Sequence, residues 1–160
     1  MKIKNLKLKV LFPALLLPQL VGFSSSYFTI GGVREWYPTL NKPWFNPPSF
    51  VFAPVWTILY LLMGVSLYLL WTAKKSKAKS LALKLFAAQL AANWAWSLLF
   101  FGLRFPLFGL FEILVLLTLI LATIKVGWRV NKWAAYLLIP YVAWVTFATV
   151  LNGAIVWVNP

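Results

Sequence analysis

The sequence predicts an all-α polytopic membrane protein, a five-transmembrane-helix bundle forming one domain over residues 1–160. Three observations carry this. The 160 residues are 62% hydrophobic and only 11% charged, where a soluble domain carries about 25% charged residues. Apolar runs of about 20 residues recur along the chain, each long enough to cross a hydrocarbon core of about 30 Å. The basic residues, fifteen against two acidic ones, gather at the ends of those runs.

The first span is expected over about residues 10–30, with Pro13 and Pro18 inside it. It follows the lysine-rich start MKIKNLKLKV, and no small-residue cleavage motif closes it. The second covers about residues 49–72, with Ser49 as a helix cap after Pro47-Pro48 and KKSKAK ending the run. The third, fourth and fifth cover about residues 81–102, 106–128 and 133–157. A stiff aromatic connector of about residues 31–48 joins the first two spans. Its core, EWYPTLNKPWFNPPSF, carries Pro38, Pro43, Pro47 and Pro48, which restrict its backbone.

Charge sets the expected orientation. Twelve basic residues fall on the amino-terminal side: Lys2, Lys4, Lys7, Lys9, Lys74, Lys75, Lys77, Lys79, Lys84, Lys125, Arg129 and Lys132. Three fall on the other side: Arg34, Lys42 and Arg104. The positive-inside rule then places the amino terminus in the cytoplasm and the connector and carboxyl terminus outside, in a multi-pass protein of a prokaryotic cell membrane. The same distribution leaves no basic stripe on a soluble face, so nucleic acid is not an expected partner; the lipid bilayer is.

The chain has no Cys and no His. It therefore lacks a disulfide framework, a thiol nucleophile, the usual zinc and haem-iron ligands and the commonest general base. No metal site and no required cofactor are expected. Glu35 and Glu112 are the only carboxylates. Glu112 lies in the fourth span, where an acid either serves structure, by capping or pairing with a base, or couples to protons in transport.

Trp71, Trp128, Trp133 and Trp157 fall at span ends, as an aromatic belt requires. Trp56, Trp94, Trp96 and Trp144 lie inside spans, either as packing groups between helices or facing a cavity. At helical spacing, Gln89, Asn93, Trp96 and Ser97 share one face of the third span, with Trp94 pointing elsewhere. Trp56, Tyr60, Gly64 and Tyr68 share a face of the second, and Tyr141, Trp144, Ala148 and Asn152 one of the fifth. Polar and small residues in membranes serve close helix packing. Their alternation with aromatic rings also suits a flat apolar ligand stacked among them.

WYPTLNKPWFNPPSFVFAPVWTILYLLMG at 36–64, QLAANWAWSLLFFG at 89–102 and LLIPYVAWVTFATVLN at 137–152 closely resemble the TspO/MBR family of tryptophan-rich sensory and translocator proteins. The resemblance covers the chain apart from its lysine-rich start. It implies a homodimeric five-helix bundle that binds tetrapyrroles, protoporphyrin IX and haem, and benzodiazepine-type drugs. It also implies a pocket formed by Trp56, Asn93, Trp96, Trp144, Ala148 and Asn152, to which the connector adds Trp36, Tyr37, Pro43, Trp44 and Pro47. The connector would then act as a lid, with Trp36, Tyr37 and Trp44 facing down into the cavity. Arg34 or Lys42 would meet a tetrapyrrole's propionates. Glu112 stands where the family carries an acid, and Phe108 stands where many members have Trp. The family's sterol motif needs a Tyr where this chain has Gly153 and a base that its tail lacks, so sterol recognition is not supported there. Three functions follow: tetrapyrrole binding as sensor, carrier or chaperone; light-dependent porphyrin degradation, with Trp56 and Trp144 as candidate catalytic residues; and small-molecule transport keyed to Glu112.

Overall fold

A computed structural model of the chain describes residues 7–160; Lys2 and Lys4 lie outside them. Helix α1 spans Leu8–Gly31 and runs on through a widened π turn at Gly32–Trp36 and a 3-10 turn at Tyr37–Thr39. A second 3-10 turn, Ser49–Val51, leads into α2 at Phe52–Thr72. Helix α3 spans Lys77–Ser97 and ends in another π turn, Leu98–Gly102. Helix α4 is Pro106–Trp128, α5 is the short Lys132–Tyr136 and α6 is Ile139–Val158. Among the described residues, five helical stretches are long and apolar enough to span a membrane, with α5 and α6 together forming the fifth. The protein is an integral multi-pass membrane protein.

The helix ends follow local chemistry. Ser76 Oγ accepts from the Lys79 amide at 3.1 Å, so α3 begins among the lysines, four residues before the apolar run alone indicated. The Lys79 ammonium donates to the carbonyls of Trp71 at 2.7 Å and Ala73 at 2.9 Å, closing the end of α2. Asn131 Oδ1 caps α5 through the amides of Trp133 and Ala134. Pro106 opens α4 at a position where no amide hydrogen is needed. Ser49 does not cap α2: its side chain makes no capping bond, because the chain enters α2 through the 3-10 turn. Between α3 and α4, Arg104 adopts φ 58°, the left-handed conformation that makes the tight reversal.

The helices form a ring in which α1 packs on α2 and α3, α3 on α4, and α4 on α5 and α6, with α5 closing against α2. Hydrocarbon gives no hydrophobic drive between helices, so close approach and dispersion hold the ring. Gly64 shows this: a Cβ there would lie 2.8 Å from Leu15 Cα and 3.1 Å from the Ala14 carbonyl oxygen. Small residues on this face of α2 therefore serve the contact with α1 rather than leaving room for a ligand. The hydroxyls of Ser24, Ser25, Ser26 and Thr29 donate back to carbonyls of their own helix, which satisfies them inside α1. Met63, Leu70, Phe86, Ile113, Leu116, Ile120, Leu138 and Val145 form the apolar centre toward the lysine-rich end. A second, smaller cluster of Tyr37, Phe100, Phe101, Leu151 and Ile155 fills the connector end.

Candidate functional site

A cavity of about 490 Å³ opens at the connector end of the ring. Helix α2 supplies Phe52, Trp56, Thr57 and Tyr60, and the 3-10 turn before it supplies Ser49. Trp96, Ser97, Phe100 and Phe101 come from α3 and its π turn, and Trp144, Ala148, Leu151 and Asn152 from α6. The fourth wall is α1, through Gln19, Gly22, Ser25, Ser26, Thr29, Val33 and Arg34. Trp56 stacks on Tyr60 with centroids 5.4 Å apart, Trp96 stacks on Phe100 at 5.3 Å, and Phe52 meets Trp144 edge-on at 6.0 Å. The result is a slot with aromatic walls and one hydroxyl-bearing side.

Of the expected residues, Tyr37, Trp56, Tyr60, Trp96, Trp144, Ala148 and Asn152 line this cavity. Asn93 and Tyr141 do not; they lie behind the wall. Asn93 is buried and accepts from the Tyr60 hydroxyl at 2.6 Å, and the buried Tyr141 ring packs edge-on against Trp56 at 6.2 Å. Asn152 has a structural task besides. Its Oδ1 accepts from Trp96 Nε1 at 3.3 Å and its Nδ2 donates to the Pro106 carbonyl at 2.8 Å, joining α3, α4 and α6. Trp94 points away from the slot, toward Phe28 of α1 at 5.5 Å.

The connector departs from the expected lid. Trp44 is 95% exposed and faces out of the bundle. Trp36 packs edge-on against Phe100 at 5.6 Å without reaching the cavity, and Pro43 and Pro47 are half-buried away from it. Tyr37 alone of these points in. The reason is local: the chain stays helical to Thr39, and this turns Tyr37 inward. Its hydroxyl donates to Asn46 Oδ1 at 2.5 Å. Lys42 is not free for a ligand. Its ammonium donates to the carbonyls of Tyr37, Leu40 and Pro38 at 2.9, 2.9 and 3.2 Å and lies over the Tyr37 ring. Arg34 remains as the basic group at the mouth. Asn41 and Asn159 exchange two hydrogen bonds of 2.9 Å, pinning the connector to the end of α6.

Glu112 neither caps nor pairs. It is the seventh residue of α4, too deep to reach the free amides of the first turn, and its Oε2 is buried without a partner. The only ion pair among the described residues joins Arg104 Nη2 to Glu35 Oε2 at 3.3 Å, on the surface. No cluster of metal-ligating side chains occurs among the described residues. The α1 wall was missed from sequence, although Gln19, Gly22, Ser26 and Thr29 recur at helical spacing within an apolar run.

The TspO/MBR family model matches residues 14–158 of this chain. The chain belongs to the TspO/MBR family. It is 42% identical over 142 residues to the tryptophan-rich protein TspO of Archaeoglobus fulgidus, covering 87% of this chain and 90% of that one. It is 42% identical over 139 residues to the translocator protein of Bos taurus, covering 86% and 82%. To the tryptophan-rich sensory protein of Cereibacter sphaeroides it is 39% identical over 118 residues, or 74% and 73% of the two chains. The family match thus takes in every wall of the slot.

Proposed function

We propose that this protein binds tetrapyrroles, protoporphyrin IX and haem, within the membrane and acts on them as sensor, carrier or chaperone. The observation that carries the reading is the slot itself: Trp56, Tyr60, Phe52, Trp144, Trp96 and Phe100 wall one cavity with Arg34 at its mouth. A porphyrin is flat and apolar with carboxylates on one edge. Rings hold its faces by stacking, and a guanidinium holds propionates by charge-assisted hydrogen bonds. The cavity volume falls within the range of about 300–1,000 Å³ that holds drug-sized ligands, which also suits benzodiazepine-type compounds. With no His or Cys in the chain, haem binds through its macrocycle, so haem and metal-free protoporphyrin have similar affinities. On the charge pattern, the mouth opens outside the cytoplasm; membership of the TspO/MBR family supports the reading that the protein works as a homodimer.

The test is a fluorescence-quenching titration with protoporphyrin IX. Removing a stacked ring costs about 0.5–1.5 kcal/mol beyond its buried area, so Trp56→Ala and Trp144→Ala each weaken binding about tenfold or more, 1.4 kcal/mol being one decade. Trp44→Ala changes Kd less than about twofold, since the ring faces outward. Equal losses at Trp44 and Trp144 would sink the reading. A second reading, light-driven oxidation of bound porphyrin by dioxygen, is favoured by one observation: Trp56 and Trp144 face the same slot. Illumination of the bound porphyrin then yields a bilin-like absorbance that Trp56→Phe abolishes; uniform bleaching counts against it.

A further inference from the structure

Behind the aromatic wall, four buried side-chain atoms have no hydrogen-bond partner in the protein: Gln89 Oε1 and Nε2, Glu112 Oε2 and Tyr141 Oη. Gln89 and Tyr141 are both 0% exposed. The three residues come from α3, α4 and α6, of which α4 packs on both of the others, and the Tyr60–Asn93 hydrogen bond joins α2 to α3 in the same core. The Tyr141 ring packs edge-on against Trp56 at 6.2 Å, and Trp56 in turn stacks on Tyr60 at 5.4 Å. Gln89 lies one turn from Asn93 on the same face of α3. This polar group sits inside an otherwise apolar core of Phe86, Ile113, Leu116 and Val145.

Polar groups buried in protein interiors are paired with protein or with ordered water. A water site needs two to four polar partners, whereas dry cavities are apolar. The atoms here distinguish among occupants. A ring of acceptors alone would suit a cation, but Gln89 Nε2 and Tyr141 Oη bring hydrogens into the same space. Water both donates and accepts, and so matches the mixed set.

We propose that Tyr60, Gln89, Asn93, Glu112 and Tyr141 bind a small cluster of internal water molecules beneath the floor of the cavity. Tyr60 belongs to both sites. Its ring faces the ligand slot and stacks on Trp56, while its hydroxyl ends at Asn93 in the cluster. A ligand that shifts this ring therefore shifts the hydrogen bonds of the waters below it. The site does not depend on which ligand fills the slot.

Hydroxyl-radical footprinting of the full chain in lipid nanodiscs tests this, because radicals formed from bound water modify adjacent side chains. Tyr141 is expected to react several-fold faster than Phe86, an equally buried ring in the same core. Equal background rates at the two positions overturn the proposal, and this comparison needs only the wild-type chain. Gln89→Met keeps the side-chain volume and removes both polar atoms. A wet cluster predicts slower labelling of Tyr141 and a lower Tm. A higher Tm, the response of a dry core relieved of unpaired polar atoms, would overturn the inference.

Discussion

Asn152→Leu separates the structural from the ligand-contacting role of this residue. Asn152 is 2% exposed and ties three helices through two hydrogen bonds, one of 2.8 Å to the Pro106 carbonyl and one of 3.3 Å from the Trp96 indole. Hydrogen bonds between membrane helices contribute about 0.6 kcal/mol on average and at most about 1.7. The 2.8 Å bond belongs in the upper part of that range and the 3.3 Å bond in the lower part. Leucine fills the same space, so the packing loss is small, and the indole N–H loses its acceptor. The sum is a destabilisation of about 1–3 kcal/mol. Reversible denaturation in mixed micelles measures it, and a double-mutant cycle with Trp96→Phe isolates the weaker bond at about 0.6 kcal/mol. A leucine variant within about 0.3 kcal/mol of wild type, inside the usual additivity error, would refute the latch.

Two further predictions rest on other parts of the ring. Gly64→Ala forces a Cβ to within 2.8 Å of Leu15 Cα and costs about 1–3 kcal/mol in the same denaturation assay. Gly153→Ala meets nothing closer than Leu110 Cδ1 at 3.8 Å; it leaves stability unchanged or raises it by up to about 1 kcal/mol through helix propensity. For orientation, a cysteine at Asn41 in whole cells is labelled by a membrane-impermeant reagent, as the charge pattern requires. Labelling only after the membrane is opened would reverse the assignment.

The all-helical, five-span architecture was legible in the sequence because span length and hydropathy are local properties. Of the ten ends expected for the five apolar runs, nine fall within two residues of the helical stretches found, counting the 3-10 turn before α2 and the π turn after α3. The exception, the start of α3, shows the limit. Hydropathy reports where lipid begins, whereas a helix begins where a cap stands, here Ser76 among the lysines. The site was legible in part. Trp56, Tyr60, Trp96, Trp144, Ala148 and Asn152 stand on faces that helical spacing identifies, and those faces do converge. Asn93 and Tyr141 share the same spacing yet lie one layer behind, because periodicity gives direction but not depth. The connector misled for a different reason. Four prolines signal stiffness, not shape, and the π turn at Gly32–Trp36 that turns Tyr37 inward and leaves Trp44 outside has no sequence period. The situation of Glu112 depends on what α3 and α6 bring beside it, which no stretch of α4 encodes.

The paired amides of Asn41 and Asn159 stand 118 residues apart, and this separation has a consequence for biogenesis. During synthesis the connector emerges soon after the first helix, long before its partner at the end of α6 is made. Loop-closure entropy must be met before so distant a contact forms. The Asn41 end of the connector therefore stays unfastened until the final turn of α6 takes its place, whereas Trp36 and Tyr37 have their partners Phe100 and Phe101 as soon as α3 is made. The slot beneath it acquires its finished mouth as the last act of assembly.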